Sequence, residues 1–394
     1  MATKVYELIA PCHFGLEAVL KKEILDLGYE ISQVEDGKVT FLGDAEAICR
    51  ANIFLRTTER ILLKVGSFKA VTFEELFQGT KALPWEEYIP QDGRFWVKKA
   101  NSIKSKLFSP SDIQSIMKKA MVERMKQGYG VSVIPETGAD YPVRVSLYKD
   151  IVTVALDTTG ESLHKRGYRK LTSKAPIEET LAAALIMLTP WNKDRILVDP
   201  FCGSGTFPIE AAMMAANMAP GMNRSFLSED WKQIIPRKCW YEAMDEAQEM
   251  VDDTVSVDIQ GYDLDPEVIK AARANAELAG VAHMIHFQQR PVAELSHPKY
   301  GFLITNPPYG ERIEDKKNLP ALYTQIGERF KALDSWSAFI ITSYEDVEKY
   351  MGRKADKNRK IYNGMMKTYF YQFLGPKPPR RKPEGAPKKQ DCEQ

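Results

Sequence analysis

The chain has 394 residues, 44% of them apolar and 27% charged, with a formal net charge of +1, so two or three domains with ordinary globular cores are expected. No apolar run approaches the ~20 residues that span a bilayer, and the N-terminus lacks the apolar core and cleavage site of a signal peptide. Five scattered cysteines (Cys12, Cys49, Cys202, Cys239, Cys392) have neither metal spacing nor an even count, which excludes a disulfide framework and a zinc module and points to a reducing cytoplasm, with no metal and no membrane partner.

Residues 1–66 follow the order β-α-β-β-α-β. A strand at 6–10 leads into a helix over 15–27 whose apolar positions (Leu16, Val19, Leu20, Ile24, Leu27) share one face, and Gly28 closes it. A strand starts at Lys38 after the Asp36-Gly37 turn, a helix covers 45–52, and a strand returns over 60–65. A ferredoxin-like unit is the natural packing for that order.

Residues 67–165 form a second α+β module. Helices are expected over 73–82 and 112–127, strands at 94–97, 143–147 and 151–156, the last after a two-residue Lys149-Asp150 turn. Between Arg94 and Lys126, nine Lys and Arg stand against Asp112 and Glu123 alone, and a second basic cluster covers 164–170. With Phe95, Phe108 and Tyr168 interleaved, Lys98, Lys99, Lys104, Lys106, Lys118, Lys119, Lys165, Arg166 and Arg169 are candidate RNA contacts, because phosphate contact combined with stacking is how RNA is held. Trp96 reads as a core residue of its strand.

Residues 170–375 alternate strand and helix: strands at 195–199, 257–263, 285–288, 302–305 and 337–342, with helices at 176–188, 207–218, 266–279, 319–333 and 346–351. An Asn363-Gly364 turn closes a final hairpin. This is an α/β fold, a mostly parallel sheet with helices on both faces and one antiparallel addition. Residues 219–251, with Trp231, Trp240 and an acidic helix, interrupt the rhythm and are expected to cover the first helix of this domain. The Pro- and Lys-rich tail 376–394 is expected to be disordered.

Three motifs stand at strand ends, where open α/β sheets bind ligands. Asp199-Pro-Phe-Cys202-Gly203-Ser204-Gly205-Thr206 follows the first strand; its glycines admit close backbone approach, and the helix after it favours an anionic group. It is neither G-x-G-x-x-G nor a P-loop. Gly261-Tyr-Asp263-Leu-Asp265 ends the second strand; Asp263 is placed to take ribose hydroxyls, while Asp265, before Pro266, can cap the helix. Asn306-Pro307-Pro308-Tyr309 ends the fourth, a proline-stiffened loop holding an amide and an aromatic ring in fixed relation.

Together the motifs resemble those of class I S-adenosylmethionine-dependent methyltransferases that modify exocyclic amines of bases, for which Asn-Pro-Pro-Tyr is the signature. The resemblance implies a Rossmann-like domain with a seven-stranded sheet, S-adenosylmethionine at Asp199, Cys202, Gly203, Ser204, Gly205, Thr206, Asp263 and Asn306, and an amine held by Asn306 and Pro307 with the base on Tyr309. With Leu163-His-Lys-Arg-Gly-Tyr-Arg169 added, nearly the whole chain is similar to bacterial THUMP-domain RNA methyltransferases, closest to the guanine-N2 methyltransferases of 23S ribosomal RNA. That implies a THUMP module at 67–165 gripping RNA, 23S rRNA or a ribosomal precursor. A transfer-RNA guanine or an adenine N6 are alternatives within the class; an RNA-binding assembly factor with a silent catalytic domain is the alternative outside it. Where many such enzymes place an acid on the cofactor's adenine, this chain has Gln288 and Gln289, and Gln289 is the expected acceptor.

Overall fold

The computed structural model describes residues 4–169, 176–298, 300–309, 313–364 and 366–378; of the tail, all beyond residue 378 lies outside the described residues. The N-terminal elements run β1 (Tyr6–Pro11), α1 (Glu17–Asp26), β2 (Glu30–Glu35), β3 (Lys38–Gly43), α2 (Ala45–Phe54), β4 (Leu62–Lys69), α3 (Phe73–Ala82), β5 (Arg94–Ile103), α4 (Pro110–Tyr129), β6 (Asp140–Tyr148) and β7 (Ile151–Asp157). Helix starts follow their caps: Asp44, Thr72 and Ser109 each accept a hydrogen bond from a first-turn amide.

The two N-terminal modules share one sheet, in the order β2-β3-β1-β4-β7-β6-β5. β4 joins them, pairing with β1 at Leu8–Leu63 on one side and with β7 from Leu62–Asp157 to Lys69–Ile151 on the other. A bulge between Lys64 and Gly66 bends β4 at the junction; a Cβ on Gly66 would stand 2.5 Å from Leu83 Cδ2. β5 alternates so that Phe95, Val97 and Ala100 enter the core under α3 and α4. Trp96 falls on the opposite face, 38% exposed, so the core aromatic of that strand is Phe95.

The second half runs α5 (Glu179–Met187), β8 (Leu197–Asp199), α6 (Thr206–Ala215), α7 (Arg237–Glu249), β9 (Ile259–Asp263), α8 (Pro266–Leu278), β10 (Ile285–Gln289), β11 (Phe302–Thr305), α9 (Ile313–Ala332), β12 (Ser337–Thr342), α10 (Val347–Met351), β13 (Lys357–Asn363) and β14 (Met366–Phe373). The sheet order is β10-β9-β8-β11-β12-β14-β13. β10 to β12 are parallel, and β14 is antiparallel to both neighbours. The central strands β8, β11 and β12 are buried at every position, as apolar runs predict. The chain moves outward from β8 to β10, then returns to β11 on the other flank of β8. The strand order reverses there, and a crevice opens at the carboxyl ends of those two strands.

The insertion does not cover the first helix of this domain. It docks on the N-terminal sheet, where Trp231 stacks on Tyr141 at 4.7 Å and donates its indole N–H to the Asp140 carbonyl at 2.8 Å. Arg50 of α2 holds Glu246 of α7 through two 2.7 Å bonds, a bidentate geometry that fixes orientation as well as charge. The N-terminal core is therefore completed by residues from the catalytic half. Among the described residues, no helix is long and apolar enough to cross a membrane.

Candidate active site

The loop from β8 to α6 makes its turn with two left-handed glycines, Gly203 at φ 51° and Gly205 at φ 90°. A Cβ on Gly205 would lie 3.0 Å from Phe287 Cζ and 3.1 Å from Ala272 Cβ, so a side chain there would crowd both neighbours on a strained backbone. Backbone bonds tie the loop to β9: Cys202 N donates to the Tyr262 carbonyl at 2.8 Å, and Gly203 N to Asp263 Oδ2 at 3.1 Å. Asp263 also accepts from Asp265 N at 3.1 Å. Burial raises its carboxyl above the usual range, and these backbone donors oppose the shift. Asp265 caps α8, accepting from Glu267 N at 2.9 Å.

Asp199, 1% exposed, fastens this loop to the next motif. Its Oδ1 accepts from Phe201 N at 3.1 Å and from the Thr305 hydroxyl at 2.6 Å. Burial, opposed by those two donors and reinforced by the charge of Asp263, pushes its carboxyl up to about 7. Thr305 is the last residue of β11, so Asn306 begins where the clasp ends. The Tyr309 hydroxyl donates to Asn306 Oδ1, which fixes the amide and leaves Oδ1 a second lone pair.

One cavity of about 790 Å³ collects both motifs. Asp199, Cys202, Gly203, Ser204, Thr206 and Asp263 form one wall and Asn306, Pro307, Pro308 and Tyr309 another. Leu264, Pro291 and Val292 add an apolar end. Gly205 shapes the turn without lining the cavity. Ser204 Oγ is buried on the cavity wall and has no hydrogen-bond partner among the described residues, as a hydroxyl reserved for a ligand would be. The sequence reading missed Thr305, Ile177 and the Leu264–Pro291–Val292 end. Only the position of Thr305, next to Asn306, signalled it.

Some expected residues point elsewhere. Gln289 is exposed, donates its amide to the Leu264 carbonyl at 3.0 Å and does not line the cavity. Arg166 is 2% exposed, its guanidinium against Glu210 at 3.4 Å and on the Arg56 carbonyl at 2.6 Å, so it offers nothing to a phosphate. Arg169 also turns inward, reaching Thr206 Oγ1 at 2.6 Å, the Ile177 carbonyl at 2.9 Å and Glu179 at 3.1 Å. The basic run 164–169 is thus a strap whose arginines pin the catalytic domain, and Lys165 is its outward cation. Lys118 is spent on Glu136 at 2.6 Å and lies 3.8 Å over the Phe95 ring. Lys98, Lys99, Lys104, Lys106 and Lys119 are exposed. His13, Glu59 and Glu178 bring ligand atoms within 4.8 Å of one another at the domain junction, outside the cavity; Glu59 there accepts from Ser162, His164 and Thr180.

A seven-stranded sheet in this order, a glycine loop after β8, an acid ending β9 and Asn-Pro-Pro-Tyr ending β11 define a class I S-adenosylmethionine-dependent methyltransferase. Residues 166–372 match the profile of the RMKL-like methyltransferase domain, residues 7–62 that of the RlmL ferredoxin-like domain and residues 70–157 that of the THUMP domain. The chain belongs to the RMKL-like methyltransferase family. It is 48% identical over 387 residues to YpsC of Bacillus subtilis (strain 168), whose name proposes an RNA methyltransferase, covering 97% of this chain and 100% of YpsC. It is 32% identical to the ribosomal RNA large subunit methyltransferase K/L of Marinomonas sp. (strain MWYL1) across 94% of this chain, and it spans 53% of that protein's length. A possible methylase from Clostridium difficile 630 superposes with TM-score 0.93 at 51% identity, covering 96% of this chain and 100% of that one. SMU.472, solved with SAH, superposes with TM-score 0.91 at 44% identity, covering 96% and 100%.

The cavity fits S-adenosylmethionine as the cofactor. It offers an unpartnered buried hydroxyl, a carboxylate at the β9 end and an apolar end for a flat ring.

Proposed function

We propose that this chain methylates an exocyclic base amine in RNA, with guanine N2 of 23S ribosomal RNA as the preferred target. The observation that carries the proposal is that Asn306, Pro307 and Tyr309 line the same cavity as Gly203, Ser204 and Asp263. When bound, S-adenosylmethionine supplies an electrophilic methyl group. Asp263 and the loop 199–206 would hold the cofactor, with Asp199 acting from beneath by tying loop 200–205 to Thr305.

An aryl amine is a weak nucleophile because its lone pair is delocalised into the ring. The free lone pair of Asn306 Oδ1 and the Pro307 carbonyl accept the two amine protons and favour a pyramidal nitrogen. Tyr309 keeps Asn306 oriented through its hydroxyl and presents a ring face to a base lifted out of its helix. The methylated nitrogen is acidic enough to lose its proton to water, so no side chain need act as general base.

RNA as substrate is supported by the THUMP match at 70–157, by the names of the K/L relatives, and by the exposed Lys98, Lys99, Lys104, Lys106, Lys119 and Lys165. In this reading residues 1–66 and 67–165 grip RNA and 170–375 carry out the transfer. The test is transfer of radiolabelled methyl from S-adenosylmethionine to RNA purified from cells lacking the protein. Label should appear in N2-methylguanosine and fall at least 100-fold with Asn306→Ala. Label in another nucleoside would overturn the target, and equal activity in the variant would overturn the site.

A further inference from the structure

The helices of the N-terminal half pack on one face of its sheet; on the other face Ile9, Leu62 and Ala155 are buried together, and toward Ile103 and Ile151 the face is exposed with a specific register. In one row Ile103, Tyr148, Ile151 and Lys69 are consecutive cross-strand neighbours over β5, β6, β7 and β4. Ile103 is 58% exposed, Tyr148 47% and Ile151 45%. The next row is small and polar: Asn101, Ser146, Thr153 and Ser67. The third aligns Lys99, Arg144, Ala155 and Lys64. Rows two residues apart along a strand are separated by ~7 Å. An apolar, aromatic row therefore faces a cationic row across a shallow hydroxyl-lined trough.

We infer that this face is a platform for a single-stranded segment of RNA, with bases against Tyr148 and its row and the sugar-phosphate backbone along Lys98 and Lys99. The inference rests on the RNA reading above and adds where an unpaired stretch lies. Charge complementarity selects the occupant. Glu7 is engaged by Lys64 at 2.5 Å, and Asp157, fully buried, by Arg60 and Arg144 at 2.9 and 2.8 Å. Asp150 at the rim turns its carboxylate to the Lys106 amide at 2.7 Å. Lys69, Lys98 and Lys99 have no side-chain partner among the described residues, so the cations are in excess. Lys149 lies 5.2 Å over the Tyr148 ring and would flank a base stacked there. A four-stranded face with stacking side chains is a recurrent answer to single-stranded RNA, and its sequence tolerance follows from every base having a π-face.

The test is fluorescence anisotropy with the full chain, a labelled 12-nucleotide single-stranded RNA and a blunt duplex of the same length. Tyr148→Ala should weaken single-strand binding about 5- to 100-fold and leave SAH affinity by calorimetry unchanged. Lys99→Ala should weaken it and lower the slope of log affinity against log salt by about 0.7. Wild type that binds RNA, with both variants binding equally well, would overturn the platform while leaving the methyltransferase reading intact. Wild type that neither binds nor methylates any RNA would overturn both. Unchanged RNA affinity in the variants alongside lost binding of a protein component of the substrate particle would assign the face to a protein, and the inference would fall.

Discussion

Asp199→Asn should stabilise this protein at neutral and alkaline pH. The wild-type carboxyl is pushed from its ordinary 3.8 to about 7, chiefly because it is buried. The folded chain therefore holds this proton more tightly than the unfolded chain does. Stability from it is fully present below about 3.8, declines as pH rises, and is lost once pH passes about 7. At ~1.4 kcal/mol per pH unit, the gap between those values is worth ~4 kcal/mol. Asparagine keeps an oxygen for Phe201 N and the Thr305 hydroxyl but never ionises. The variant should therefore exceed wild type by ~2 kcal/mol at pH 5 and ~4 kcal/mol at pH 8. For a domain of this size that is roughly 2–4 °C in melting temperature per kcal/mol. Thermal unfolding of the ligand-free protein between pH 5 and 8 at constant ionic strength reads it. A difference that stays flat with pH would show that Asp199 ionises normally and refute the burial reasoning.

Gly205→Ala should cost ~1–3 kcal/mol of stability through the left-handed backbone and the contacts with Phe287 and Ala272, and calorimetry should find SAH binding at least tenfold weaker. Asp263→Ala should weaken SAH by a similar factor, since it removes both the carboxylate and the anchor of Gly203 N. Gln289→Ala should change SAH affinity less than twofold, because its amide serves Leu264; a tenfold loss would restore it as an adenine contact. Arg166→Met should lower stability by ~3–5 kcal/mol in urea, leaving buried Glu210 without its arginine and with the Tyr168 hydroxyl at 3.1 Å as its remaining donor. An unchanged midpoint would contradict the strap.

The catalytic half was legible because its signals are local. Apolar runs named β8, β11 and β12, and proline and glycine punctuation placed the loops whose residues meet in the cavity. What escaped was set by partners distant in sequence. β2 has only one strongly apolar pair, Ile31 and Val34, and is held by pairing with β3. Nothing local in Leu62–Lys69 says that β4 pairs on both edges and merges two modules into one sheet. Arg166 and Arg169 look like surface cations until Glu210 and Glu179 stand opposite them. Trp96 and Phe95 are adjacent, and only the strand's phase decides which one is buried. α9 begins at Ile313, six residues before the expected start, with Pro320 inside it; an interior proline gives up one ladder bond and argues locally for a helix that starts at the proline, not seven residues before it.

The proposed methyl transfer to a guanine amine in ribosomal RNA by the Asn306 loop can be read directly by mass spectrometry of nucleosides mapped along 23S rRNA. Cells with the protein, without it, and without it but carrying Asn306→Ala would be compared. One N2-methylguanosine should disappear with the protein, return with wild type and stay absent with the variant. An unchanged N2-methylguanosine map, or full restoration by Asn306→Ala, would contradict it.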